Sequence, residues 1–334
     1  MICKGRLTEG YMRKNTKHYY LIFYVILLSF LAQSVSAAFY KYRKDERNVY
    51  ISIGQTNIKA NELVYGQPSS YPVDYKLSQL IWESRNVPML YTGINVRISP
   101  SYTFNLEGKF AVKKHKSIMD DYDWSYVGRD WSDQSNHPDT TLTEASGYNL
   151  NFDFDLLGKK RNKLSMLVGY KEDRWSWESR GGTYIYSTNS TTGYRSSIGS
   201  FTSGQKVISY SQHMSTPYIG LRFESKLNKW KFNFQYEYSD WVKIKAVDDH
   251  YLRDLLFEDT FSESSMNAYK LGVSYQISKK FNLHLNYAVQ KYDEARGNTV
   301  YKNDDTGVVI GGCTNCAGAD NSSASWSFGT IYAY

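Results

Sequence analysis

Two short constellations carry the residue types that acid–base hydrolysis requires. Asp121 and Asp123 lie two apart, and Asp248 and His250 lie two apart. In extended chain, residues two apart point to the same side, so each pair forms one functional face. Two carboxylates opposite a carboxylate–imidazole pair can hold and deprotonate a water. His250 is then the general base, Asp248 fixes its tautomer, and Asp121 and Asp123 position the water. Crowding like charges drives their proton affinities apart. Asp and His are also ordinary loop residues, and Asp-x-Asp is a short signal. A calcium loop fits less well, because the Gly and terminal Glu of a helix–loop–helix calcium binder are missing. No Gly-x-Ser-x-Gly or His-Glu-x-x-His motif is present, and no metal site is expected.

The elements that must position these residues read as strands. Leu150, Phe152, Phe154 and Leu156 alternate with Asn149, Asn151, Asp153 and Asp155. The same period of two recurs in Trp230 to Tyr238, Leu271 to Ile277 and Phe281 to Val289. A soluble sandwich turns such apolar faces inward, whereas an outer-membrane barrel turns them to lipid. The chain end decides for the barrel, with Trp326, Phe328, Tyr332 and Tyr334 in alternation. The asymmetric connections agree. Ten strands are expected over 49–62, 73–98, 101–117, 144–158, 163–180, 206–225, 229–247, 266–277, 281–296 and 323–334, an even number as single-chain barrels require. The fold class is all-β: a ten-stranded antiparallel transmembrane β-barrel extending above the outer membrane. Tight turns near Pro100, Gly158 to Lys160, Asn228 and Ser278–Lys279 face the periplasm. The long connections 63–72, 118–143, 181–205, 248–265 and 297–322 face outside. The second and fourth of these open with the two chemical constellations.

Composition bounds the alternatives. The 334 residues have a 16% aromatic content and 41% hydrophobic residues, and mean hydropathy is -0.54. Past the N-terminus no run approaches the roughly 20 apolar residues of a spanning helix, and aromatics at this level argue against disorder. Residues 1–37 read as a secretory signal peptide: Lys4, Arg6, Arg13, Lys14 and Lys17, then the apolar run Tyr19 to Ala32, then Val35, Ser36 and Ala37. Its removal takes the formal charge from +7 to about +3, which withdraws the main support for nucleic-acid binding. A single domain then spans 38–334. Cys313 and Cys316 are open to a small disulfide, a metal pair or two free thiols. An exported location favours the disulfide, and two ligands make a poor zinc site. His137, Pro138 and Asp139 form a chaperone-cofactor-like triplet with no helical hairpin around it, and are taken as loop. Trp175 and Trp177 are assigned to the aromatic girdle.

Six segments together resemble the omptins, outer-membrane endopeptidases of Gram-negative bacteria: Met119 to Trp124, Trp131 to Thr140, Arg180 to Ser187, Ile198 to Phe201, Pro217 to Leu221 and Asp248 to Asp254. They cover the mature chain in order and look most like the plasminogen-activator branch. The resemblance implies an aspartic-type endopeptidase in the outer membrane with its site facing outside. Asp121, Asp123, Asp248 and His250 match the family's catalytic groups. Glu62, Met119 and Ile208 match residues lining the substrate cleft, and Glu172 and Arg174 match contacts to lipopolysaccharide, the expected activating lipid. Two positions depart from the pattern: Ala246 stands where an Asp is usual, and His213 where an Arg is usual. Basic selectivity is therefore expected to be weaker or altered, and lipid dependence to change, because Arg's fixed charge and fork geometry suit phosphate. Expected partners are exposed peptides and proteins, host plasma or surface proteins among them, and lipopolysaccharide, with the barrel a monomer. The competing reading is a non-enzymatic barrel, an adhesin or a porin, although the inward side chains of so small a barrel largely fill it.

Overall fold

The computed structural model describes residues 47–67, 69–158 and 161–333. The expected signal segment 1–37 and the start of the mature chain lie outside the described residues. The strands are β1 (Arg47–Tyr65), β2 (Lys76–Ser99), β3 (Tyr102–Ala111), β4 (His115–Asp123), β5 (Asp133–Gly158), β6 (Asn162–Arg180), β7 (Thr183–Tyr186), β8 (Ser197–Ser200), β9 (Lys206–Leu227), β10 (Trp230–His250), β11 (Leu255–Gln276), β12 (Phe281–Asn303) and β13 (Val309–Ala333). They form a ring of ten antiparallel strands, in which β3 and β4 act as one interrupted strand between β2 and β5. Pairing of β1 with β13, from Asn48 opposite Ala333 to Val64 opposite Ala317, closes the ring. Closure removes the free edges that an open sheet would expose in lipid.

Alternation sorts the side chains as expected. Leu106, Phe152, Phe223, Phe232, Leu285 and Phe328 are exposed on the outer wall, while Asn151, Asp153, Gln235 and Glu237 are buried inside. Those inward charges are neutralised in pairs, which a low-dielectric interior requires. Lys109 meets Asp173 at 2.5 Å and Lys270 meets Glu107 at 2.6 Å. Lys171 pairs with Glu237 and Arg222 with Asp153. These ion pairs cross the lumen of the small barrel, a poor arrangement for a porin.

The tight ends fall where the turn residues place them. Asn228, at φ 54°, turns β9 into β10, a left-handed conformation that Asn tolerates. The far ends differ from expectation. β5 is 26 residues long and β13 is 25, against the about 9 to 11 that span a bilayer. Much of 118–143, 248–265 and 297–322, expected as loop, is thus strand in a wall that rises beyond the membrane. The Gly/Ser/Asn-rich stretch near 307–323 belongs mostly to β13. Its small residues fit where Ala317 and Ala319 are buried against the wall. The 181–205 connection contains the β7–β8 hairpin. His137 is also strand, on β5, buried and bonded to the Gly181 carbonyl at 2.6 Å.

Trp175 and Trp177 correct the girdle assignment. Both point inward and are essentially fully buried. Trp177 and Trp82 pack around Tyr210, with ring centroids 6.4 and 5.7 Å from it, and Trp177 Nε1 donates to Ser84 Oγ at 2.8 Å. The three rings pack together inside the barrel, Tyr210 on the rung of Asp248. Cys313 and Cys316 are joined in a disulfide, on β13 rather than in a loop.

Candidate active site

Strand register carries the site. Asp121 on β4 is paired with Leu80 of β2, and Leu80 in turn with Glu62 of β1. On the opposite wall Asp248 of β10 pairs with Tyr210 of β9 and Phe257 of β11. All these residues lie above the Trp82, Trp177 and Tyr210 layer or at its level. The four candidate catalytic residues stand on strands near the outer rim, which makes them more rigid than the loop openings expected from the sequence.

Asp248 and His250 are in direct contact, with Nε2 2.5 Å from Asp248 Oδ2. Asp248 is buried, with Oδ1 left unpartnered. Arg253, on the exposed turn between β10 and β11, donates to His250 Nδ1. Opposite them, burial first and the Asp123 and Asp248 charges next push the Asp121 carboxyl well above the usual range. Asp123 is pushed up by burial as well. The Arg253 charge works against both shifts. Ser78 Oγ lies 3.5 Å from Asp121 Oδ1.

Glu62 is buried, and burial followed by the Asp248 and Asp259 charges raises its carboxyl strongly. Its Oε2 has no hydrogen-bond partner. Met119 is buried one inward position below Asp121 on β4. Ile208 is buried one inward position above Tyr210 on β9. Glu172 and Arg174 sit elsewhere, on the outer wall of β6, where Glu172 Oε2 meets Arg174 at 3.4 Å and His213 of β9 at 3.0 Å. The structure thus brings together Glu62, Asp121, Asp123, Asp248 and His250, and sets the Glu172 group apart from them.

Three neighbours of the site were not found by sequence reasoning. Arg253 follows His250 so closely that it reads as an ordinary loop cation. Tyr186 arrives on β7, its phenol pushed up to about 12 by burial and by Asp121 and Asp123. Asp259 arrives on β11, inside a stretch taken for loop. A period-two scan through 255–261 would have placed Phe257, Asp259 and Phe261 on one face.

The Omptin family pattern matches residues 43–334. The chain belongs to the omptin family. This omptin is 32% identical over 293 residues to the plasminogen activator of Yersinia pestis, covering 87% of this chain and 90% of that protein. It is 30% identical to Protease 7 of Escherichia coli (strain K12), covering 76% of this chain and 80% of that one. Its fold matches the crystal structure of the outer membrane protease OmpT from Escherichia coli with a TM-score of 0.82 at 27% identity, over 88% of this chain and 99% of that one. The omptin is an outer-membrane protease, a peptide hydrolase whose substrates are polypeptides.

Proposed function

We propose that this omptin cleaves polypeptides beside basic residues, using a water activated between Asp121/Asp123 and the Asp248–His250 pair. One observation carries the reading. Strands far apart in sequence bring a buried acid pair and a carboxylate–imidazole contact of 2.5 Å to the same outer mouth.

Asp248 accepts the Nε2 proton, which leaves the Nδ1 lone pair of His250 as the base. Arg253 covers that lone pair at rest and swings aside on its exposed turn when water enters. Asp121 and Asp123 hold the water, and the raised affinity of Asp121 keeps a proton within the pair. The water oxygen attacks the peptide carbonyl carbon as its proton passes to His250. Collapse of the tetrahedral intermediate breaks the C–N bond, and the imidazolium or the acid pair returns a proton to the leaving amine. Glu62 receives the basic side chain beside the cut, and Met119 and Ile208 shape the cleft.

Further parts of the proposal rest on the family. Residues 1–37 are an export signal, and the mature chain from Ala38 is one monomeric barrel domain. Glu172 and Arg174 contact lipopolysaccharide on the outer wall, Arg174 holding phosphate and Glu172 orienting Arg174 beside His213, and the lipid so activates the enzyme. Host plasma or surface proteins are substrates, in line with the name of the Yersinia relative.

Cleavage of a mixed peptide library by refolded protein, with and without lipopolysaccharide, tests the reading. Asp121→Ala and His250→Ala are expected to abolish cleavage while the barrel still forms. A folded wild type that cuts nothing under either condition would overturn it.

A further inference from the structure

Ala246 leaves the cleft one acid short of the family pattern, yet the pocket around it is strongly acidic. Ala246 is directly opposite Asp259 in the β10–β11 ladder. Residues directly opposite in an antiparallel pair project from the same face. Both are inward and buried, with 2% and 7% of their surface exposed. With only a methyl at 246, β10 presents no charge on this rung and Asp259 of β11 is its acid. Asp259 acts electrostatically on Glu62 and on Tyr210, and Asp248 acts on Asp259. Glu62, Asp248 and Asp259 therefore form one acidic cluster around Tyr210, with Asp259 one inward position below the rung on which Asp248 pairs with Tyr210.

Resting on the peptidase reading above, we propose that Asp259 supplies from β11 the acidic group that position 246 lacks, so that Glu62 and Asp259 together receive the guanidinium or ammonium side chain beside the scissile bond. Unmet demand in the pocket points the same way. Glu62, 5% exposed, meets the charges of Asp248 and Asp259 and has no cation paired to it among the described residues. Deeper in the lumen, acids such as Asp153 and Glu237 are instead matched by internal cations. A buried carboxylate lacking a cation is costly. A substrate Arg or Lys entering over Ala246 brings that charge. Asp259 lies one inward position below the level of Phe257 and Asp248, so the pocket is displaced from β10 toward β11. Arg, with its longer reach and forked donors, bridges two separated carboxylates better than Lys does.

The test compares kcat/KM for paired peptides with Arg or its neutral isostere citrulline beside the cut. In Asp259→Asn the Arg-over-citrulline ratio is expected to fall on the order of 10- to 100-fold, with citrulline cleavage little changed. Ala246→Asp combined with Asp259→Asn is expected to recover the ratio, and Asp259→Glu to retain it. The Glu variant keeps the measurement possible even where Asn impairs folding, and loss of the ratio there would overturn the proposal. An unchanged ratio in folded Asp259→Asn, or equal losses on both peptides, would overturn it as well. Wild type that cleaves neither peptide would sink the peptidase reading itself, a different outcome from cleavage with the wrong ratio.

Discussion

Glu62 on β1 and Asp248 on β10 bring two buried carboxyls together across the barrel mouth, and each leaves one oxygen without a hydrogen-bond partner. The pair is most stable sharing a proton. Glu62, raised by burial and by Asp248, binds that proton more tightly in the folded state than in the unfolded one. Stability is therefore lost as pH rises from the unfolded value of about 4.3 toward the raised folded value, and stays lost above it.

Glu62→Gln should remove that penalty. Resistance to urea unfolding, followed by the mobility shift of the folded barrel on gels, is expected to increase by on the order of 1 kcal/mol at pH 8. At pH 4 the gain should vanish. An equal gain at both pH values would show that Glu62 acts by packing and not by charge.

Asp248→Asn keeps the shape beside His250 while altering the hydrogen bond that sets the tautomer. The expected loss is on the order of 10³-fold or more in kcat, with KM nearly unchanged. Stopped assays on a single fluorogenic peptide suffice. A loss confined to KM would move Asp248 from catalysis to substrate binding.

Arg253 opposes the rise in the Asp121 and Asp123 carboxyls. Its removal in Arg253→Ala should let both rise further. The acid limb of the kcat/KM profile, which reports groups of the free enzyme, is then expected to move to higher pH. A limb that stays in place would show that ionisation of this pair does not set it.

On the outer wall, Glu172 bridges Arg174 and His213. An Arg carries a fixed charge and forked donors that an imidazole lacks. Half-maximal stimulation by lipopolysaccharide is expected at a severalfold lower lipid concentration in His213→Arg than in the wild type, which titration of activity with lipopolysaccharide would reveal. Identical titration curves would remove His213 from the lipid site.

The wall of the barrel was legible because lipid enforces alternation. Phe152 against Asn151 and Asp153, or Phe232 and Phe234 against Gln235, is written directly into the chain. Above the membrane that constraint disappears. Water is tolerated on both faces, and β4, the start of β5 and the start of β13 carry too little apolar alternation to be separated from loop. The inner pair Trp175 and Trp177 misled for a related reason, since an aromatic reads alike whether it meets a headgroup or packs on Trp82. Asp121, Asp123, Asp248 and His250 were recognisable by spacing and family likeness. Asp259 and Tyr186 were not, because what joins them to the site is ladder register and a folded-back hairpin.

The seam between β1 and β13 has a consequence for when the enzyme becomes dangerous. Glu62 is held between Leu80 of β2 and Ala319 of β13, and the latter lies 257 positions further along the chain. Until the final strand docks on the first, the pocket lacks a wall and the two acidic halves have no fixed distance between them. A partly assembled chain is thus expected to be latent, its acidic pocket taking shape only as the last strand closes the barrel.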